Sequence, residues 1–176
     1  MSETGKKQAE ALGLLLKEVK VSAVYSSPLK RALYTAQAIA NYHQLAVQVE
    51  PDLKEIEAGE FEGTVIDDLG TSFSQLLVNW RQEGGSAKLP GGESLIDLED
   101  RVWSAIQHIA GKHKQEVVAV VSHYFVISAT ICKALGLPLG HLGRIRVQVG
   151  SISTLDFGDT QPRLLALGDT CHLTEV

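Results

Sequence analysis

The chain has 176 residues, 44% apolar and 21% charged, with a formal net charge of −5 and two cysteines. That length and balance suit one soluble globular domain with ample core, and the negative charge argues against a general nucleic-acid surface. Cys132 and Cys171 form neither a disulfide framework nor a metal-ligand spacing, so both are expected as reduced thiols of a cytoplasmic protein. No run approaches the ~18 consecutive apolar residues of a membrane span, and no signal peptide is visible ahead of the first amphipathic stretch.

Residues 3–18 place Ala9, Leu12, Leu15, Leu16 and Val19 on one stripe behind a Ser2 cap, which predicts a helix. Residues 22–25 read as a short strand. Ser27 and Pro28 then suit the cap and first position of a second helix reaching about Tyr42. Leu45 to Val49 reads as a strand closed by Glu50-Pro51, and the acid- and glycine-rich stretch 52–63 as a surface loop. From Thr64 to Glu83 the pattern predicts one or two helices with Leu69, Phe73, Leu76, Leu77 and Trp80 inward. Glycine- and proline-rich residues 84–92 form a loop. A long helix follows from Glu93-Ser94 to about Gly111, with Leu95, Leu98, Val102, Ile106 and Ile109 inward.

Val117 to Val121 is an unbroken apolar run that stops at Ser122-His123. It reads as a strand buried on both faces. Tyr124 to Leu135 reads as a helix ended by Gly136, and residues 144–149, 151–156 and 163–167 as closing strands. Alternating strands and helices predict an α/β three-layer sandwich, with a mostly parallel sheet and an antiparallel edge from the last hairpin. Neither repeats nor linkers interrupt it, so residues 1–176 are expected to form a single domain.

Two strand-to-helix junctions are alike. Tyr25-Ser26-Ser27-Pro28-Leu29-Lys30-Arg31 and Val121-Ser122-His123 each bring a cationic or donor side chain to a helix N-terminus, where free N–H groups and the helix dipole favour anions. If the two strands are neighbours, Arg31 and His123 converge on a site suited to a dianionic phosphate. A carboxylate of loop 52–63 at the rim could protonate a leaving oxygen. Position alone leaves Glu55, Glu57, Glu60 and Glu62 equivalent, and an arginine in a first helical turn is most often a solvated surface residue.

Five segments in order make the pattern specific: Ser2 to Ala9; Tyr25 to Ala32; Leu53-Lys54-Glu55-Ile56 with Gly59 to Gly63; Pro90-Gly91-Gly92-Glu93-Ser94; and Val121-Ser122-His123. Together they resemble the histidine phosphatase superfamily, the phosphoglycerate-mutase-like group, over essentially the whole chain. The Leu53 to Ile56 context is most similar to the phosphatase branch that includes α-ribazole phosphatases. The resemblance implies a phosphohistidine mechanism. A nucleophilic histidine attacks the phosphoryl group, two arginines and a second histidine hold its oxygens, and a carboxylic acid protonates the leaving group. By motif, Arg31 matches the second arginine and His123 the second histidine, a phosphate ligand. Glu55 matches the proton donor, chosen over its neighbours by the motif. The family needs no metal or cofactor.

Two departures follow. The family's nucleophile lies in an Arg-His-Gly motif at the end of a first strand, ahead of the helix that begins here near Ser2. That strand, its histidine and the first arginine are expected to be missing from this chain. Such a loss would strand buried backbone groups at ~1–3 kcal/mol each, so either a longer protein or a strand from a partner chain is expected to fill the place. Tyr124-Phe125 also stands where the family commonly has small residues, a departure that could narrow the pocket or alter its leaving-group side. The resemblance thus implies a phosphoric monoester hydrolase for small phosphorylated metabolites, inactive here for want of its nucleophile. The alternatives are a non-catalytic phosphate-binding or interaction protein on the same fold, and a phosphoglycerate mutase. The expected partners are a small phosphorylated molecule or inorganic phosphate, and a second copy in a homodimer that could be strand-swapped.

Overall fold

A computed structural model describes residues 1–64, 70–158 and 161–173. The elements are α1 (Glu3–Leu16), β1 (Val21–Ser26), α2 (Lys30–His43), β2 (Val47–Val49), α3 (Gly70–Gln82), α4 (Leu95–Lys112), β3 (Val117–Val121), α5 (Tyr124–Leu135), β4 (Ile152–Asp156) and β5 (Arg163–Asp169). Short 3₁₀ turns lie at Pro51–Leu53, Gly59–Phe61, Leu139–Arg144 and Cys171–Leu173. No helix among the described residues is long and apolar enough to cross a membrane.

β1, β2 and β3 form a parallel sheet in the order β2-β1-β3, and β4 and β5 form a separate antiparallel pair. Side-chain alternation splits the core into two layers. Ala23, Tyr25, Val118 and Val120 face a large cluster built with α3, α4 and α5, centred on Trp80, Leu95, Leu98, Val102, Ala129 and Ile131. Val21, Val24, Ala119 and Val121 face a smaller one with Leu12, Ala36, Ile39 and Ala40 of α1 and α2. Val21 and Val24 share a side because the ladder shifts register between Val21 and Ala23. This is the expected three-layer α/β arrangement. The α1–α2 contact is close: a Cβ at Gly13 would stand 2.6 Å from the Ala38 carbonyl oxygen.

Several details differ from the sequence expectation. β1 is the most buried strand, while Val117 is exposed and the rest of β3 only half-buried. β3 lies at the sheet's margin, with β1 on one side and no described strand on the other. β1 pairs directly with β3, so the edge open to a further strand lies on the far side of β3 and not between these two. Residues 144–149 are not a strand: they begin at the end of a 3₁₀ turn and continue as irregular chain. Of the alternating apolar residues, Ile145 and Val147 pack against the large cluster, while Val149 is 80% exposed.

In α1 the buried face is Ala9, Leu12 and Gly13, with Leu15 and Val19 exposed. Leu76 and Trp80, one turn apart in α3, are buried, and Leu77 is turned outward. Leu69 and the Phe73 side chain lie outside the described residues. α4 matches its reading: Ser94 caps it, and Asp97 answers with its own carboxylate in a capping box.

Candidate functional site

α2 begins at Lys30, later than Ser27-Pro28 would place it, and its cap position is Leu29, which makes no side-chain cap bond. The delay leaves Ser27 at the junction itself, fully buried, its N–H donating to the Val121 carbonyl at 3.0 Å. The Ser27 hydroxyl accepts from the Leu29 N–H at 3.3 Å and lies 2.7 Å from His123 Nε2. His123 is the N-cap of α5, 7% exposed, and its other nitrogen, Nδ1, accepts from Arg31 Nε at 3.1 Å.

That geometry fixes the tautomer. Arg31 can only donate, so Nδ1 is the unprotonated nitrogen and Nε2–H donates to Ser27 Oγ. Burial, then the charges of Arg31 and Arg101, lower the His123 pKa to about 4. At neutral pH the imidazole is neutral, and an arginine stands against it at the N-termini of two helices. A phosphate entering between them would take Arg31's hydrogen bond and offset its charge, which favours the imidazolium and a second donor to the anion.

Glu55 precedes Ile56 in the segment after the Pro51–Leu53 turn. Its Oε1 accepts from the Ile56 N–H at 2.9 Å, and the carboxylate also bonds the backbone of Phe125 in the first turn of α5. Burial raises its pKa, opposed by those two bonds and by the charges of Arg31 and Arg101. A buried carboxyl whose surroundings favour the protonated form is equipped to give a proton. Arg31, His123 and Glu55, far apart in sequence, are thus gathered about the α5 N-terminus.

The aromatic pair after His123 divides its roles. Phe125 packs edge-on against Trp80 at 5.8 Å and belongs to the core, whereas Tyr124 is 36% exposed at the first position of α5. Of the other histidines, His43 ends α2, His108 lies in α4, His113 follows it, and His141 and His172 lie in 3₁₀ turns. His113 is occupied elsewhere, between Tyr25 Oη at 3.1 Å and Glu116 at 2.6 Å. Among the described residues no group of three or more His, Cys, Asp or Glu side chains could hold a metal ion.

Sequence reasoning missed three residues. By sequence Ser27 suits a helix cap, and its place directly after an apolar strand is the available signal. Arg101 and Glu93 pair across the base of the Glu55 segment at 2.6 Å. Glu93 lies in the Pro90-to-Ser94 motif, but Arg101 carries no local signal, because it is a polar residue within a regular amphipathic helix.

The model of the histidine phosphatase superfamily (branch 1) matches residues 1–170. The chain belongs to that superfamily. Phosphoserine phosphatase 1 of Hydrogenobacter thermophilus is 32% identical over 175 residues, covering 99% of this chain and 83% of that protein. Among solved structures, the α-ribazole phosphatase of Shigella flexneri is 27% identical with a TM-score of 0.79, covering 96% of this chain and 83% of that one. YhfR of Bacillus stearothermophilus shares the fold at a TM-score of 0.87 and 24% identity, covering 98% of this chain and 86% of its own. This histidine phosphatase fold therefore carries its Arg31–His123 pair on the superfamily's own framework.

Proposed function

We propose that the chain binds the phosphoryl group of a small phosphorylated metabolite between Arg31 and His123. Glu55 is placed to protonate the leaving oxygen in the manner of a phosphoric monoester hydrolase. The observation that carries this reading is the 3.1 Å contact between Arg31 Nε and His123 Nδ1, across 92 positions of sequence and at two helix N-termini. Relatives named as phosphatases of phosphoserine and α-ribazole phosphate support a small monoester as ligand.

Phosphohistidine chemistry needs a nucleophile in line with the phosphorus, and these 176 residues contain no Arg-His-Gly segment. His123 cannot replace it while Arg31 and Ser27 occupy both ring nitrogens. The occupied ring nitrogens also suit a second reading, a phosphate-binding protein without turnover. The test is hydrolysis of p-nitrophenyl phosphate and phosphoserine by the chain as it stands. Expected is binding without His123-dependent turnover. Robust hydrolysis that disappears in His123→Ala would show that a nucleophile is present after all. A strand-paired homodimer would use the outer edge of β3. Light scattering that reports a monomer over about a tenfold concentration range counts against it.

A further inference from the structure

Glu55 is the acid in the reading above, yet it sits on a non-helical, non-strand segment that has to be held still to be useful. The structure shows what holds it. Arg101 projects from α4 and forks onto Glu93, with Nε 3.1 Å from Oε2 and Nη2 2.6 Å from Oε1. The same guanidinium reaches the backbone on either side of the turn: Nη1 donates to the Asp52 carbonyl at 2.6 Å and Nη2 to the Glu55 carbonyl at 3.3 Å. Glu93 completes the frame. Its Oε1 accepts from the Glu57 N–H at 2.9 Å, and its own N–H donates to the Glu57 carbonyl at 3.0 Å.

Both partners are well covered, their side chains 22% and 12% exposed. Two further features bring the same strands of chain together. Ser122 Oγ, one residue before His123, donates to the Leu53 carbonyl at 2.7 Å. A Cβ on Gly92 would collide with the Glu57 carbonyl, and one on Gly59 with that of Pro90, so the two loops meet backbone to backbone.

We infer that Arg101 and Glu93 are positioning residues: a two-sided clamp that fixes the backbone of residues 52–57, so that the Glu55 carboxyl rests against the first turn of α5 beside His123. A planar fork with five donors can grip a carboxylate and two carbonyls at once; a lysine ammonium of the same charge cannot hold that geometry. This inference rests on the reading of Glu55 as the acid, but its test does not require turnover.

The test is the titration of the Glu55 side chain, followed by carbon NMR on the full chain with Arg31, Arg101, His123 and Tyr124 as its charged and titratable neighbours. Arg101→Lys keeps the cation and loses the fork. Its expected effect is a Glu55 midpoint lower by roughly half a pH unit or more, as the freed carboxyl gains water. Glu93→Gln keeps an acceptor for the Glu57 N–H and is expected to shift the midpoint in the same direction by less. If Arg101→Lys fails to fold, Glu93→Gln decides alone. Lys133→Met is the control: it breaks the Lys133–Glu99 pair of α5 and α4, 2.6 Å long and outside the clamp, and is expected to leave Glu55 unmoved. A midpoint unchanged in Arg101→Lys or Glu93→Gln, or moved equally in Lys133→Met, would overturn the clamp. Failure of the phosphate reading would show separately, as His123 resonances indifferent to added phosphate in the unmodified chain.

Discussion

Acidification destabilises this protein through His123, and His123→Asn removes that dependence. His123 is neutral in the fold because burial and two arginines hold its pKa down to about 4, against an ordinary 6.5. Above pH 6.5 the folded and unfolded states are both unprotonated, and His123 contributes no pH dependence. Below it the unfolded chain takes up a proton that the folded chain refuses, so stability falls until the pH passes the folded value. The difference of 6.5 against about 4 corresponds to roughly 3 kcal/mol in all, of which about 1 kcal/mol is lost by pH 5.5 and about 2–3 kcal/mol by pH 4.5. Glu55 acts with the opposite sign. Its raised folded pKa makes the fold gain relative stability as the carboxyl protonates, lost again as pH rises through that value. Both proteins share the Glu55 contribution, so the comparison isolates the histidine. Asn can still accept from Arg31 but does not titrate. Urea unfolding at steps between pH 7.5 and 4.5 reads the effect: the two stabilities should diverge as the pH falls, with the wild type losing more. Parallel curves would refute the claim that His123 is held neutral by its surroundings.

Three further outcomes follow from the core and the helix ends. Trp80 is 1% exposed, and its Nε1–H donates to the Ala87 carbonyl at 2.8 Å, so Trp80→Ala should cost about 3–5 kcal/mol in chemical denaturation; a loss under about 1 kcal/mol would contradict its place in the core. Ser94→Ala removes the side-chain half of the α4 capping box, the Asp97 N–H bond to Ser94 Oγ, and is expected to lower stability by about 1 kcal/mol. Since α4 carries Arg101, the same variant should also loosen Glu55, and an unchanged thermal midpoint would speak against the cap. Cys132 is 1% exposed, with its thiol pushed up to about 11 by burial and the charge of Glu99. Iodoacetamide at neutral pH should therefore label Cys171 and spare Cys132 until the chain unfolds; prompt double labelling, read by mass spectrometry, would refute this.

The layering of the fold was legible because burial writes a period. Val118 and Val120 face one helix layer, Ala119 and Val121 the other, and α4 spaces Leu95, Leu98, Val102 and Ile109 for one face. Pairing was not legible. The run from Val117 to Val121 reads as a strand covered on both faces, and both helix layers do cover it; that only one of its edges meets a described strand depends on neighbours distant in sequence. Residues 144–149 alternate as a strand does, but alternation reports a buried side and says nothing of a hydrogen-bonded ladder. At the site, Arg31 and His123 were legible as a pair because both sit at strand-to-helix junctions, and Glu55 through its motif. Ser27 and Arg101 were not, because their partners, His123 and Glu93, are set by tertiary approach.

The most direct test of the account is a titration of the chain with inorganic phosphate, followed by the His123 imidazole resonances and by calorimetry. The account predicts saturable binding at one site, movement of the His123 signals toward the protonated form, and at least about tenfold weaker binding in Arg31→Ala, equivalent to roughly 1.4 kcal/mol. Phosphate that leaves His123 unmoved, or that binds Arg31→Ala as tightly as the unaltered chain, would contradict it.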